Sequence, residues 1–149
     1  MPNPIRVAVV DDHPMFRDGA IRMLMAADGF VVVGEGSTAA DALKIAQENG
    51  PDVVLLDLRV PGGGVEAIVG ITSTCPNVRT VVLTVSENER DVTAALRAGV
   101  LGYIVKGGSG DEVVDTVRAV VRGDFYVAPK LTARLLITDG KRVEAVSRP

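Results

Sequence analysis

Several residue types are scarce in this sequence, and their scarcity excludes whole classes of protein. A single cysteine, Cys75, excludes an internal disulfide and a multi-cysteine metal site. No apolar run approaches the ~18 residues that a membrane-spanning helix needs. The first apolar stretch is short and acidic residues follow it at once, which is unlike a signal peptide. These features favour a protein of the reducing cytoplasm.

Aromatic residues and net charge are also low. The 149 residues include no Trp, two Tyr and three Phe, so the core of what is by length one domain must be aliphatic. Sixteen basic residues stand against nineteen acidic ones, a net charge of −3, which does not favour nucleic-acid binding by these residues.

Short apolar runs alternate with stretches of helical period. The runs are rich in β-branched residues and show little polar alternation, as in strands that are covered on both faces; they span residues 5–10, 30–33, 53–58, 78–83 and 101–105. Helical spacing and end signals predict helices over 14–27, 39–48, 65–73, 91–98 and about 110–121, the last opened by a possible capping box at 109–112. A further short helix is predicted over 129–138, followed by a polar linker over 139–149.

Strict alternation of five strands and five helices predicts an α/β fold with right-handed crossovers. The common open solution for five strands is a doubly wound parallel sheet of order 2-1-3-4-5, the flavodoxin-like order, and its ligands bind at the carboxyl ends of the strands. Polar residues stand at that edge: Asp11 and Asp12 after strand one, Asp57 at strand three, Thr84 at strand four and Lys106 at strand five.

This set of groups suits phosphoryl chemistry. Three close carboxylates repel one another, and a hard divalent cation such as Mg²⁺, which prefers oxygen ligands, relieves the repulsion. The ammonium of Lys106 and the hydroxyl of Thr84 could bind phosphoryl oxygens. Asp57 has no paired acidic neighbour and is the natural nucleophile, forming an aspartyl phosphate.

Simpler interpretations exist for each residue. The acid pair could cap the first helix, Thr84 could cap the fourth, and Lys106 could be a solvated surface residue. His13, the only histidine, is best interpreted as a surface residue at a helix start. Residues 62–64 are three glycines, but they lack the spacing and the following Lys-Ser/Thr of a P-loop and predict a flexible connection.

The ordered motifs resemble response-regulator receiver domains over residues 5–127. They are Asp11-Asp12 after a strand, Asp57 within Val-Val-Leu-Leu-Asp-Leu-Arg, Thr84 within Val-Val-Leu-Thr-Val, and Gly-Tyr-Ile-Val-Lys at 102–106. The stretches 11–19 and 98–103 are similar, more narrowly, to NarL/FixJ (LuxR-type) transcriptional regulators. The resemblance implies a CheY-like fold and a bacterial two-component system.

The resemblance also implies roles. Asp57 is the phosphoacceptor, and Asp11, Asp12 and Asp57 hold Mg²⁺ (or Mn²⁺) with the backbone carbonyl of Arg59. Phosphoryl oxygens are bound by Thr84 and Lys106, and Tyr103 is an aromatic switch that turns inward when Thr84 moves.

The implied partner is a sensor histidine kinase, which supplies the phosphoryl group. The implied output is altered association, including homodimerisation, at the surface of the fourth helix, fifth strand and fifth helix, or of the first and fifth helices. The domain would assist its own phosphorylation and dephosphorylation without being an enzyme in the ordinary sense.

Three features depart from the family pattern. The loop after the phosphoacceptor strand is one residue shorter and richer in glycine, at 62–64, and Lys106 is followed by two glycines. Relatives carry a C-terminal helix-turn-helix domain beyond the linker, and DNA binding would belong to that domain. We therefore expect a receiver domain over 1–127 and a helix and linker over 128–149, in a truncated regulator rather than a natural single-domain one.

Two other functions are alternatives, and the first of them uses similar groups. A haloacid-dehalogenase-like phosphatase places its nucleophile in Asp-x-Asp after the first strand and adds a substrate cap, whereas this chain has adjacent acids and no cap insertion. A flavodoxin-like FMN binder needs a Ser/Thr-rich phosphate loop after strand one, where this chain has acids that repel phosphate.

Overall fold

The computed structural model describes residues 3–108, 110–127 and 131. Strands and helices alternate as predicted, and an extra short strand follows the last helix. In chain order the elements are β1 Ile5–Val10, α1 Pro14–Ala26, β2 Phe30–Gly36, α2 Ala39–Asn49, β3 Val53–Leu56, α3 Gly64–Thr74, β4 Arg79–Thr84, α4 Glu89–Ala98, β5 Gly102–Val105, α5 Gly110–Val121 and β6 Tyr126–Val127.

All the strands pair in parallel, in the order β2-β1-β3-β4-β5-β6. The predicted order 2-1-3-4-5 is therefore confirmed. The expectation that five strands make up the sheet needs correction, because β6 pairs with β5 through Gly102↔Tyr126 and Tyr103↔Val127. The two residues of β6, Tyr126 and Val127, form too short an apolar run for a strand to be predicted from sequence. They adopt the strand conformation because their backbone pairs with β5.

The central strand β3 shows why its run lacks polar alternation. Val54 and Leu56 pack into one apolar cluster with α2, α3 and α4, while Val53 and Leu55 pack into a second cluster with α1 and α5. All four side chains are at most 1% exposed. A strand covered by helices on both faces needs apolar side chains at every position.

Several element ends differ from the sequence-based bounds. β2 continues to Gly36, three residues past the predicted end, and β3 stops at Leu56, two residues before it. Thr38 caps α2 in a capping box with Asp41. Glycines at 50 and 99 end α2 and α4 with φ of 57° and 106°, in the left-handed region that favours glycine.

Leu131 is helical and 1% exposed, and it packs into the cluster that contains Tyr103. The rest of the helix predicted over 129–138, the linker over 139–149 and Ser109 of the possible capping box lie outside the described residues. No helix within the described residues is long and apolar enough to cross a membrane.

Candidate functional site

The polar residues singled out in the sequence stand at the carboxyl edge of the sheet. Asp11 directly follows β1, Asp57 directly follows β3, Thr84 is the last residue of β4 and Lys106 directly follows β5. Backbone bonds hold the two acids in place, since the Asp57 N–H donates to the Val10 carbonyl and the Asp11 N–H to the Gly36 carbonyl, each at 3.0 Å. Parallel pairing therefore brings residues from four separate segments to one edge.

The ammonium of Lys106 bridges the two buried carboxylates. Its Nζ lies 2.6 Å from Oδ2 of Asp11 and 2.8 Å from Oδ2 of Asp57. The side chains of Lys106, Asp11 and Asp57 are 3%, 5% and 2% exposed. Charged side chains are buried only when they are paired and hydrogen-bonded. Lys106 is therefore part of a buried ion-pair cluster and not a solvated surface residue.

The remaining carboxylate oxygens accept backbone N–H groups. Oδ1 of Asp57 accepts from Arg59 at 3.0 Å, and Oδ1 of Asp11 accepts from His13 at 2.8 Å. Each buried acid is thus oriented on one side by the backbone and on the other by Lys106. The backbone N–H of Lys106 donates to the Thr84 carbonyl at 2.7 Å, which ties that residue to the end of β4.

Four side chains could hold a metal ion. One ligand atom from each of Asp11, Asp12, His13 and Asp57 lies within 4.8 Å of all the others. Asp12 is the most accessible of the three acids, with a side chain 34% exposed. Since carboxylate oxygens are the ligands that hard divalent cations prefer, the donor set fits such an ion. The carbonyl of Arg59 as a further ligand stays a prediction.

His13 is a surface residue at the start of α1, as the sequence indicated, and it also lies beside the acids. It occupies the N-cap position of α1 without a side-chain cap bond, so Asp11 and Asp12 do not cap that helix. Its Nδ1 is 3.3 Å from Oδ1 of Asp12, although the ring is 60% exposed. The interpretation of Thr84 as a helix cap is also wrong, because Asn88 caps α4 by accepting from the Arg90 N–H.

Thr84 and Tyr103 both contact the turn at Ser86. The buried Thr84 hydroxyl accepts weakly from the Ser86 N–H at 3.4 Å, and the Tyr103 hydroxyl donates to the Ser86 carbonyl at 3.0 Å. Burial of the ring raises the pKa of Tyr103 to about 12. The Ser86 hydroxyl in turn donates to Asp91 of α4 at 2.5 Å, so the turn is joined to α4.

Sequence reasoning missed two neighbours of the site on α1. The ring of Phe16 lies over Lys106, with Nζ 4.2 Å from the ring centroid. Arg17 donates from Nη1 to the Asp11 carbonyl at 2.9 Å, and its Nε lies 3.3 Å from Glu35 as an ion pair without hydrogen-bond geometry. Their spacing three and four residues after His13 was the available signal, since such residues share its helix face.

The glycine run behind Asp57 has a defined geometry. Gly62 and Gly63 have φ of 92° and 94°, which residues with a Cβ rarely adopt. A Cβ on Gly64 would stand 2.5 Å from Cα of Leu58 and 2.9 Å from the Asp57 carbonyl oxygen. The run therefore lets α3 begin directly against the backbone of the phosphoacceptor candidate, a more specific role than the predicted flexible connection.

Comparison with known protein families identifies the family of this chain. The model of the response regulator receiver domain matches residues 7–118. The chain belongs to the response regulator receiver family. Receiver domains are phosphoacceptor signalling domains of two-component systems and not classical enzymes. The family match therefore does not support the phosphatase and FMN-binder interpretations.

Curated relatives place the receiver domain within the NarL/FixJ-type regulators, as the motifs predicted. It is 40% identical to the response regulator GacA of Pseudomonas aeruginosa over 134 residues, which are 89% of this chain and 63% of that protein. It is 37% identical to the response regulator UvrY of Escherichia coli over 90% of this chain and 62% of that protein. The chain thus spans somewhat less than two thirds of the length of these relatives.

Solved structures confirm the fold. The signal receiver domain of NarL from Mycobacterium tuberculosis superposes with a TM-score of 0.79 at 34% identity, covering 82% of this chain and 99% of that one. A LuxR-family response regulator from Aurantimonas superposes with a TM-score of 0.83 at 31% identity, covering 88% of this chain and 94% of that one. The flavodoxin-like expectation is confirmed.

Proposed function

We propose that this receiver domain accepts a phosphoryl group on Asp57 from a sensor histidine kinase. The observation that carries the proposal is the ammonium of Lys106, 2.8 Å from the Asp57 carboxylate and 2.6 Å from Asp11 in a nearly buried triad. Such a triad at the carboxyl edge of a parallel sheet concentrates both a nucleophile and the positive charge that a phosphoryl group needs.

The step is a transfer between two nucleophiles. A carboxylate oxygen of Asp57 attacks phosphorus, the bond from phosphorus to the donor histidine nitrogen breaks, and the leaving imidazole keeps that electron pair. Lys106 moves its hydrogen bond from Asp57 to a phosphoryl oxygen, and Thr84 donates to another. The same groups would also serve hydrolysis, in which water attacks phosphorus, the bond from phosphorus to the Asp57 oxygen breaks, and the Asp57 carboxylate keeps that electron pair. The domain would in this way assist its own dephosphorylation.

A divalent cation belongs to the proposal. Mg²⁺ (or Mn²⁺) would be held by Asp11, Asp12, Asp57 and the carbonyl of Arg59, and when bound it neutralises charge on the phosphoryl oxygens. The exposed carboxylate of Asp12 gives the ion an approach from solvent. Because Lys106 already pairs with one oxygen of each buried acid, the ion and the ammonium would share these carboxylates.

The output is a change of surface that controls association. Phosphoryl contact would draw Thr84 toward Asp57, and the Ser86 turn, to which the already buried Tyr103 is hydrogen-bonded, would move with it. This movement would alter the α4–β5–α5 surface or the α1–α5 surface and favour a homodimer. One solved structure of RcsB, 26% identical, contains two dimers bound to DNA. Transcriptional control by this protein would use a helix-turn-helix domain in addition to the receiver domain over 1–127 and the helix and linker over 128–149. The site of action would be the cytoplasm.

Intact-mass spectrometry tests the proposal directly. Incubation with acetyl phosphate and Mg²⁺ should add one phosphate to the wild type and none to Asp57→Asn. Asp18→Asn is a matched control, because it removes an exposed carboxylate from α1 away from the triad, and it should label like the wild type. Excess chelator should abolish labelling.

Two outcomes would contradict the proposal. Full labelling of Asp57→Asn would place the phosphoacceptor elsewhere, and undiminished labelling in chelator would remove the metal from the step. Transfer from a phosphorylated histidine kinase, followed by the same mass shift, then tests the proposed donor.

A further inference from the structure

The ring of Phe16 lies over the Lys106 ammonium, which also pairs with the two buried acids. Nζ of Lys106 donates a hydrogen bond to Oδ2 of Asp57, forms an ion pair with Oδ2 of Asp11, and lies 4.2 Å from the centroid of the Phe16 ring. A cation within about 6 Å of an aromatic face is attracted by the ring quadrupole. Since the Lys106 side chain is only 3% exposed, the ring stands where water would otherwise solvate the ammonium.

Without the Phe16 ring, the Lys106 side chain would have space to turn away from the two acids. Gly107 follows with φ of 99°, and nothing lies within 4 Å of the place where a Cβ would be. Lys106 also lines a cavity of about 110 Å³ between α1 and α5. Glu112 lines the same cavity and could attract an ammonium that turned away from the acids, although it already accepts from Tyr126 at 2.5 Å.

Phe16 has little of the character of a core residue. It is 46% exposed, so its ring contributes less to the apolar core than the buried residues of α1. The ring of His13 meets it edge-on, with centroids 5.9 Å apart and planes at 88°. The Phe16 ring therefore contacts His13, which lies beside the candidate metal ligands, and its face lies over the Lys106 ammonium.

We propose that Phe16 is a positioning residue for phosphoryl transfer. Its ring holds the Lys106 ammonium against Asp57 and out of the neighbouring cavity, so that the charge is already in place when phosphoryl oxygens arrive. The inference rests on the proposed role of Asp57. It assigns to α1 a part in phosphoryl binding that is separate from the metal ligands.

The test separates metal binding from phosphoryl binding in the 149-residue chain. Mg²⁺ affinity is measured by calorimetry, and the affinity for beryllofluoride, a phosphoryl mimic, is measured by fluorine NMR at saturating Mg²⁺. Phe16→Met keeps an apolar side chain of similar volume without a ring. It should bind Mg²⁺ within about twofold of wild type but beryllofluoride about three- to tenfold more weakly, the range expected for a half-exposed cation–π contact.

Phe16→Tyr is the conservative control. It keeps the aromatic face and should bind both ligands within about twofold of the wild type. Equal weakening in Phe16→Tyr and Phe16→Met, or unchanged beryllofluoride binding in Phe16→Met, would overturn the inference while the role of Asp57 stood. So would parallel loss of Mg²⁺ and beryllofluoride affinity. A wild type that bound no beryllofluoride would overturn the proposed function and this inference with it.

Discussion

The Tyr103 hydroxyl donates a hydrogen bond to the Ser86 backbone carbonyl at 3.0 Å. Ser86 lies two residues after Thr84, and its N–H points to the Thr84 hydroxyl at 3.4 Å. The ring of Tyr103 is fully buried and so occupies the inward position. The turn at Ser86 therefore lies between the two residues to which the family resemblance assigns the switch.

Thr84→Ala should uncouple phosphoryl binding from this turn. The variant keeps Asp57 and Lys106 and should still accept a phosphoryl group, but it lacks the hydroxyl that would draw the Ser86 turn toward the site. Hydrogen exchange of residues 84–108 with and without beryllofluoride should therefore change less than in the wild type. Equal changes in both proteins, or no change in either, would show that the coupling is wrong for this protein.

Tyr103→Phe isolates the hydroxyl. The ring still fills its buried site, but the Ser86 carbonyl loses its donor, and we expect a loss of about 1 kcal/mol in the free energy of unfolding, measured in urea. Mg²⁺ affinity should not change, because Tyr103 is not among the grouped acidic ligands. A drop in Mg²⁺ affinity would show that the hydroxyl also shapes the metal site.

Arg17 should support metal binding from outside the ligand set. It donates to the Asp11 carbonyl at 2.9 Å and so holds the backbone that carries Asp11 and Asp12. Arg17→Met should lower Mg²⁺ affinity by about tenfold, at the lower end of effects of residues that orient metal ligands. Glu35→Gln is the control: Glu35 is 56% exposed, and its ion pair with Arg17 should matter little. Equal effects of the two substitutions, measured by calorimetry, would assign the role to the ion pair instead.

Parallel topology explains why most of the site could be predicted from sequence. Once the apolar runs are taken as parallel strands, the residues that follow them must meet at one edge, and the structure brings Asp11, Asp57 and Lys106 into direct contact there. The side-chain hydroxyl of Thr84 shows the limit of this reasoning. Its strand position was predictable, but its contact with Ser86 depends on how the following turn folds back.

Contacts between elements account for what the sequence did not reveal. The ring of Phe16 over Lys106 depends on how α1 packs against β1 and α5. The spacing of Phe16 from His13 indicates the helix face but not this packing. β6 exists only because the edge of β5 offers it a backbone partner. The burial of Leu131 in the apolar cluster that contains Tyr103 likewise depends on contacts with other elements.

Asp41 should make stability depend on pH. Its carboxylate accepts the N–H groups of Ser37 and Thr38, and the Ser37 bond is the main reason that its pKa lies below the ordinary 3.8. A lowered folded pKa contributes stability that is present above the unfolded pKa and lost as pH falls through the folded pKa. Asp41→Asn should therefore lower the free energy of unfolding by about 0.3–1 kcal/mol near neutral pH, because it removes a negative charge from the first turn of α2, and the difference should shrink below about pH 4. Urea unfolding across this range checks it, and a difference independent of pH would show that the charge is not involved.

Gly64→Ala should disturb the phosphoacceptor through its backbone. The added Cβ would stand 2.5 Å from Cα of Leu58 and 2.9 Å from the Asp57 carbonyl oxygen, so this backbone must move. We expect a loss of about 1–3 kcal/mol in the free energy of unfolding, as for other overpacked sites, and slower labelling by acetyl phosphate. Gly19→Ala on α1 is the matched control, because nothing lies within 4 Å of its Cβ position. Because Gly19 lies inside a helix, its replacement by Ala should raise the free energy of unfolding by about 0.5–1 kcal/mol. Urea unfolding and the labelling rate measure both variants, and a Gly64→Ala protein that behaved like Gly19→Ala would show that the loop can move aside without disturbing Asp57.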